Sequence, residues 1–237
     1  MKPPEIKNFV PLSCVDWDGK VSAVVFLPNC NFRCPFCYNT ALVLNPEKLE
    51  TKPFEEIQQH LRKNKGWLDG IVITGGEPTI NEMLHNLCEK IKKLGLGVKL
   101  DTNGTNPAMV ERLVEEELVD YVALDVKAPL NVAAYSKASG VNAENLLAKV
   151  EKTIQILLDG LVDYEFRTTL VPTIHGEEDV EQICGKIKGC KKYVLQNFLG
   201  DVETLDPKLR IVKPFSTAEM ERFLELAKKK VPNTLQR

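Results

Sequence analysis

VSAVVFLPNCNFRCPFCYN, residues 21–39, joins a β-rich run to a loop that places Cys30, Cys34 and Cys37 within eight positions. The run VSAVVFL (21–27) reads as a strand, and the cysteines follow its carboxyl end. Working outward, the same arrangement recurs. Predicted strands lie at GIVIT (70–74), GVKLDT (97–102), VDYVALDV (119–126), DYEFRTTL (163–170) and KYVLQNF (192–198). Between them, segments 55–64, 81–94, 107–117, 143–159 and 177–188 carry apolar residues at three- and four-residue spacing, as does 216–230 at the end. Pro107 suits a first helical turn, and Ser216 with Glu219 forms a capping-box signature.

Strand–helix alternation implies a parallel sheet with helices outside it, here six β/α units. Unusual polar residues collect at the carboxyl ends of these strands. The cysteines follow the first strand, GGEP (75–78) the second, and DTNGT (101–105) ends the third. Asp125 and Lys127 end the fourth, Arg167 lies in the fifth with His175 beyond it, and Gln196–Asn197 end the sixth. Chemistry drawn from every unit favours a partial (β/α)6 barrel of TIM type over an open sheet, whose ligands gather at one switch point. The predicted organisation is an N-terminal extension (1–20), a barrel domain (21–200) and a C-terminal segment (201–237) whose helix packs on the barrel.

With 237 residues, 43% of them hydrophobic, the chain can bury a core without staples. A net charge of −2 leaves no basic excess for general nucleic-acid binding. The apolar run at 21–27 is too short to span a bilayer, and MKPPEIKNFVPL lacks the apolar core of a signal peptide. A soluble cytoplasmic protein is expected. Seven cysteines, three of them crowded, then point to metal or redox chemistry rather than disulfides.

Three thiolates admit two readings. A structural zinc site wants four ligands, and Cys14 would have to fold back as the fourth. A four-iron cluster on three cysteines instead leaves one iron open to a small molecule. The remaining thiols fit other roles: Cys88 and Cys184 suit amphipathic helices, and Cys184 with Cys190 lacks further close ligands.

CNFRCPFC, with Phe36 before the third cysteine, resembles the CxxxCxxC loop of radical S-adenosylmethionine (SAM) enzymes. GGEP, DTNGT, LDVKAP (124–129) and RTTLVP (167–172) add to this. From about residue 13 to about 198 the chain is similar to the glycyl-radical-enzyme activating subgroup, within it to the anaerobic ribonucleoside-triphosphate reductase activating proteins (pyruvate formate-lyase activating enzyme-like).

The resemblance implies a [4Fe–4S] cluster on Cys30, Cys34 and Cys37, and SAM on the open iron, cleaved to a 5′-deoxyadenosyl radical that abstracts a hydrogen atom. It implies SAM contacts from Phe36, Tyr38, Gly75, Gly76, Glu77, Pro78, Asp101, Thr102, Asn103, Asp125 and Arg167. Glu77 would accept the methionine ammonium and Asn103 would face the ribose. Asp101, Thr102 and Asp125 match a monovalent-cation site, while Lys127 and Arg167 face SAM or the substrate. The implied partners are a glycyl-radical enzyme such as anaerobic ribonucleotide reductase and a flavodoxin- or ferredoxin-type electron donor.

Bland readings stand beside these. GGEP is also a plain turn, Asp101 and Asn103 suit a strand-ending Asx motif, and a lone loop histidine such as His175 is usually exposed. Two departures stand out: Asn29 replaces the usual glycine before the first cysteine, and DWDG (16–19) replaces D-aromatic-P-G. Asn tolerates left-handed geometry, so the turn survives in this reading. Rival functions are a radical SAM enzyme acting on a small molecule or nucleoside, and a non-catalytic iron–sulfur or zinc protein.

Overall fold

All six predicted strands are present in the computed structural model, which describes residues 4–237. They form the centre of one eight-stranded sheet whose spatial order follows the chain, β1 to β8. The six are β2 (Ser22–Leu27), β3 (Gly70–Gly75), β4 (Gly97–Thr102), β5 (Tyr121–Asp125), β6 (Asp163–Leu170) and β7 (Tyr193–Asn197). All neighbours from β2 onward are parallel, so each connection must cross back over the sheet. Sequential order with no reversal gives a half-open barrel rather than a doubly wound sheet.

Two edge strands extend this frame. β1 (Asn8–Ser13), in the stretch read as an extension, pairs antiparallel with β2, and β8 (Thr234–Gln236) pairs with β7. Residues 1–3 lie outside the described residues. The predicted helices appear as α2 (Phe54–Lys63), α3 (Leu84–Lys92), α4 (Pro107–Glu115), α6 (Leu147–Leu158), α7 (Glu177–Lys186) and α8 (Thr217–Lys228). Two unpredicted short helices, α1 (Thr40–Leu44) and α5 (Val132–Ser139), flank the cysteine loop in sequence and in space, respectively. α3 starts three residues later than its periodicity suggests, because Pro78–Ile80 forms a 3₁₀ turn. Ser216 and Glu219 form the expected reciprocal cap of α8. Among the described residues no helix is long and apolar enough to cross a membrane.

The two faces of the sheet differ in chemistry. Residues such as Ile71, Ile73, Val98, Leu100, Val122 and Leu124 point outward into the helix layer and make the main core. Each such side chain contributes about 2 kcal/mol when fully buried. Their neighbours point into the cup, where a small apolar cluster of Trp17, Val24 and Val72 fills the end opposite the cysteines.

Trp17 explains DWDG. The β1–β2 turn drives its indole across the amino-terminal ends of β3 and β4, where both strands begin with glycine. A Cβ on Gly70 would lie 2.7 Å from the indole and 2.5 Å from the Gly97 carbonyl oxygen. Asp18 then reaches the far edge of the half barrel, accepting from Lys192 at 2.5 Å and pairing with Arg237. The turn therefore floors the cup and spans its open side.

Removing this plug should be costly. Trp17→Ala is expected to lower the unfolding free energy by about 3 kcal/mol in urea titrations of the apoprotein. A change under about 1 kcal/mol would mean the indole does not floor the cup.

Candidate functional site

The cysteine loop is held from three sides by main chain. Asn29 adopts φ 67°, the left-handed conformation expected of it. Its carbonyl accepts the Glu77 N–H at 2.8 Å, and a Cβ on Gly76 would sit 1.8 Å from that oxygen. Gly75, at φ 124°, is equally closed to a side chain by Leu27. The two glycines of GGEP thus let β3 approach the cysteine loop; their smallness is used on protein backbone. On the second side, the Arg33 N–H donates to Ser139 O at 2.8 Å, and Gly140 leaves room for the Arg33 carbonyl. Phe32 packs edge-on against buried Tyr135 of α5, centroids 6.2 Å apart. On the third, Leu205 N–H and Asp206 N–H donate to Cys37 O and Pro35 O at 3.1 and 2.9 Å.

All three thiols line one cavity of about 520 Å³, together with Phe36, Tyr38, Gly75, Gly76, Glu77, Asp101, Thr102, Asn103, Asp125, Lys127 and Arg167. Pro78 is buried just behind them, opening the 3₁₀ turn. Burial pushes the thiols of Cys30 and Cys34 up to about 11 and about 12, and raises that of Cys37. The Lys127 ammonium opposes the rise at all three. Such thiols become thiolates when a bound metal supplies the missing positive charge.

The donor set distinguishes the two metal readings. Cys14 sits in the β1–β2 turn, at the other end of the six-residue strand β2, roughly 20 Å away by strand rise. It cannot complete a zinc site. Cys88 and Cys184 belong to α3 and α7 on the outer layer, with Cys190 just after α7. Among the described residues no three His, Cys, Asp or Glu side chains close around a single ion. With Cys14 at the far end of β2, three cysteines on one loop fit a cluster that leaves one iron without a protein ligand better than four-coordinate zinc. Tyr135 Oη, buried beneath the loop without a hydrogen-bond partner, is an unused donor there.

Glu77 is only 1% exposed, and its carboxylate is engaged by protein donors. Its Oε1 accepts from Thr79 N, Thr79 Oγ1 and Thr102 Oγ1, and its Oε2 from Asn103 N at 2.6 Å. Burial raises its pKa even against these donors. Asn103 is spent likewise: its amide donates to Asn31 and its carbonyl accepts from Thr105. These side chains lace the strand-end loops together while still lining the cavity.

Inside the cup, charges alternate along a continuous chain. Lys127 Nζ lies 3.0 Å from Asp125, whose other oxygen takes Arg167 Nε at 2.8 Å. Arg167 Nη1 lies 3.2 Å from Asp101, and Lys99 follows at 3.6 Å from Asp101 and 3.8 Å from Glu165. Arg237 and Lys192 close on Glu165, each at 3.0 Å. Burial works to raise the Asp125 carboxyl, but the Arg167 and Lys127 charges outweigh it and hold it at about 2. Burial works to lower Lys127 too, and Asp125 reverses it. Lys127 also stands 6.0 Å over the Phe36 ring, between the second and third cysteines.

This chain changes the reading of the cation site. Arg167 bridges Asp101 and Asp125, and Thr102 turns its hydroxyl to Glu77. A guanidinium occupies the space between the carboxylates, while Asp101 Oδ1 is buried without a hydrogen-bond partner. Lys99, Glu165, Arg237 and Asp18 escaped the sequence reading. A signal existed: β4, the end of β5 and β6 each carry two charges two residues apart, hence on one face.

His175 is buried, against expectation. Its Nδ1 accepts the Val171 N–H at 3.0 Å, and its Nε2 faces the Lys127 carbonyl at 2.8 Å. Only the neutral Nε2–H tautomer satisfies both, so the ring clamps the main chain that carries Lys127.

Residues 24–187 match the family profile of the Radical SAM superfamily. The chain is 34% identical over 231 residues to a Methanocaldococcus jannaschii protein provisionally named a glycyl-radical enzyme activating enzyme, covering 97% of this chain and 94% of that one. A 7-carboxy-7-deazaguanine synthase of Hyperthermus butylicus is 40% identical over 91 residues, 38% of this chain and 37% of that protein. The crystal structure of Streptococcus suis SuiB bound to precursor peptide SuiA superposes with a TM-score of 0.70 at 17% identity, over 90% of this chain. This chain spans about half (48%) of that one, and the likeness is one of fold.

The His175 clamp has a pH signature. Burial lowers the folded pKa of His175 below that of a free histidine, so the unfolded chain binds the extra proton first. Stability from this group is present above about pH 6.5 and falls as pH drops below it. Urea titrations between pH 7.5 and 5 should show a shallower loss for His175→Gln than for wild type. Parallel curves would remove His175 from the clamp.

Proposed function

The chain belongs to the radical SAM superfamily, a family that works with a [4Fe–4S] cluster and SAM, and we propose that it activates a glycyl-radical enzyme. The observation carrying this reading is the end-to-end similarity, over 97% of this chain, to the M. jannaschii protein provisionally named for that activity, against 38%, 46% and 65% for three 7-carboxy-7-deazaguanine synthases. The half-open cup supports it: Tyr38, 62% exposed, and exposed Leu199 flank a mouth that a protein loop can enter. An anaerobic ribonucleotide reductase is the partner class we favour, with a flavodoxin- or ferredoxin-type donor.

In this reading Cys30, Cys34 and Cys37 hold the cluster. With SAM bound, the cluster supplies one-electron reductive cleavage and hydrogen-atom abstraction. The chain's own residues arrange the surroundings. Lys127 sets a positive charge against the thiolates, and Asp125 with His175 fixes where that charge stands. Arg167 neutralises two inward carboxylates and keeps the cup wall rigid. The strand-end lacing through Glu77 and Asn103 holds the cavity open before any ligand arrives, so little ordering is left for binding. Phe36 and the loop main chain screen the thiolates from water. No cation is assigned to Asp101, Thr102 and Asp125.

The second reading is a small-molecule radical SAM enzyme, favoured by partial similarity to 7-carboxy-7-deazaguanine synthases and to proteins provisionally named GTP 3′,8-cyclases. Anaerobically reconstituted protein should form a glycyl EPR signal on an added glycyl-radical enzyme together with 5′-deoxyadenosine. Deoxyadenosine formed with a small metabolite and no partner would contradict the activase reading. Arg167→Ala should keep the iron content while lowering SAM cleavage at least about tenfold, or about 1.4 kcal/mol. Unchanged cleavage would take Arg167 out of the site.

A further inference from the structure

The segment from Leu199 to Pro214 joins β7 to α8 and lies against the cysteine loop as a fixed strap. Beyond its bonds to Cys37 and Pro35, Thr204 Oγ1 donates to Asp206 O at 2.8 Å. Asp206 Oδ1 caps the following 3₁₀ turn, Pro207–Ile211, through Lys208 N–H at 3.0 Å. The far end is pinned where Asn197 bonds both main-chain groups of Phe215, at 2.7 and 3.2 Å.

The outer side of this strap is unused by the site. Ile211 is 87% exposed, and Lys208, Arg210 and Lys213 around it are exposed. Arg33 is exposed on the cysteine loop itself, two residues before Pro35, its guanidinium donating to the carbonyls of Cys30 and Phe32. Among the described residues none of these four cations forms an ion pair. The strap's acids, Asp201, Glu203 and Asp206, lie in its other half, and Asp206 is taken up by the cap. Isolated surface charges are ordinary, and so is one exposed isoleucine. Here unpaired cations surround an apolar residue on a chain of net charge −2, and the strap's main chain is one hydrogen bond from Cys37. A covalent and hydrogen-bonded route runs from this face back along the strap to Leu205 and across to Cys37.

We propose that the face formed by Lys208, Arg210, Ile211 and Lys213 docks an acidic one-electron donor protein. Charge complementarity selects the partner and speeds encounter, and Ile211 supplies the apolar contact at its centre. The redox step moves a single electron: the donor's flavin is oxidised by one electron and the cluster is reduced by it, with no bond made or broken and no proton passed between the proteins. The proposal rests on the cluster assignment to Cys30, Cys34 and Cys37.

The test compares two reductants on the reconstituted full chain, following cluster bleaching anaerobically in stopped flow. The probes are flavodoxin hydroquinone and dithionite. The triple variant Lys208→Glu, Arg210→Glu, Lys213→Glu should be reduced by flavodoxin at least about tenfold more slowly at low salt. The difference should shrink as salt screens the charges. Iron content and the dithionite rate should match wild type, and the triple glutamine variant should fall between. An unchanged flavodoxin rate overturns the proposal, as does an equal slowing with dithionite. So does a triple variant that keeps its flavodoxin rate but fails to activate the glycyl-radical enzyme under dithionite, since the face would then serve the substrate. A wild-type chain that takes up no cluster, or cleaves no SAM under dithionite, overturns the functional reading and this proposal with it.

Discussion

The Asn29 carbonyl occupies the space where a side chain on residue 76 would begin, 1.8 Å from the ideal Cβ position. Much of the site follows from that one approach. It brings the end of β3 against the first turn of the cysteine loop and closes the hydrogen bond from Glu77. It also sends the Glu77 carboxylate inward, to collect donors from two neighbouring segments. Glycine is needed at 75 and 76 because backbone meets backbone there, and asparagine serves at 29 because its left-handed turn starts the loop.

The second organising feature is the run of alternating charges inside the cup. Buried ion pairs are weak evidence for stability, because desolvation cancels much of their attraction. Their use here is positional. A half barrel has no closing strand to fix its interior, and a chain from Lys127 through Asp125, Arg167, Asp101 and Lys99 to Glu165 cross-links β4, β5 and β6 from within. Asp18 carries the linkage to the amino-terminal hairpin. Lys127, at the upper end, is thereby held facing the cysteines, its backbone fixed separately by His175.

The architecture was legible because its signals are local. Six apolar runs alternating with amphipathic segments give the parallel sheet, and strand-end polar residues locate the mouth. What escaped depends on distant partners or on weak patterns. β1 contains Pro11 and lies at an edge, β8 is three residues long, and α5 is small-residue rich with a poorly defined apolar face. His175 looks like an ordinary loop residue until Val171 and Lys127 are brought to it. Glu77 and Asn103 are read toward a ligand because type and position suit one; their bonds to each other and to Asn31, across 26 and 72 residues, leave no trace in the sequence. The strap over Cys37 carries no motif at all.

The central claim is that Cys30, Cys34 and Cys37 hold a four-iron cluster with one iron left free by the protein. Its most direct measurement is EPR of the anaerobically reconstituted, reduced chain with and without SAM, alongside metal analysis. About four iron atoms per chain and a spectrum that changes when SAM is added are predicted. Stoichiometric zinc, or a reduced-cluster spectrum indifferent to SAM, would contradict the account.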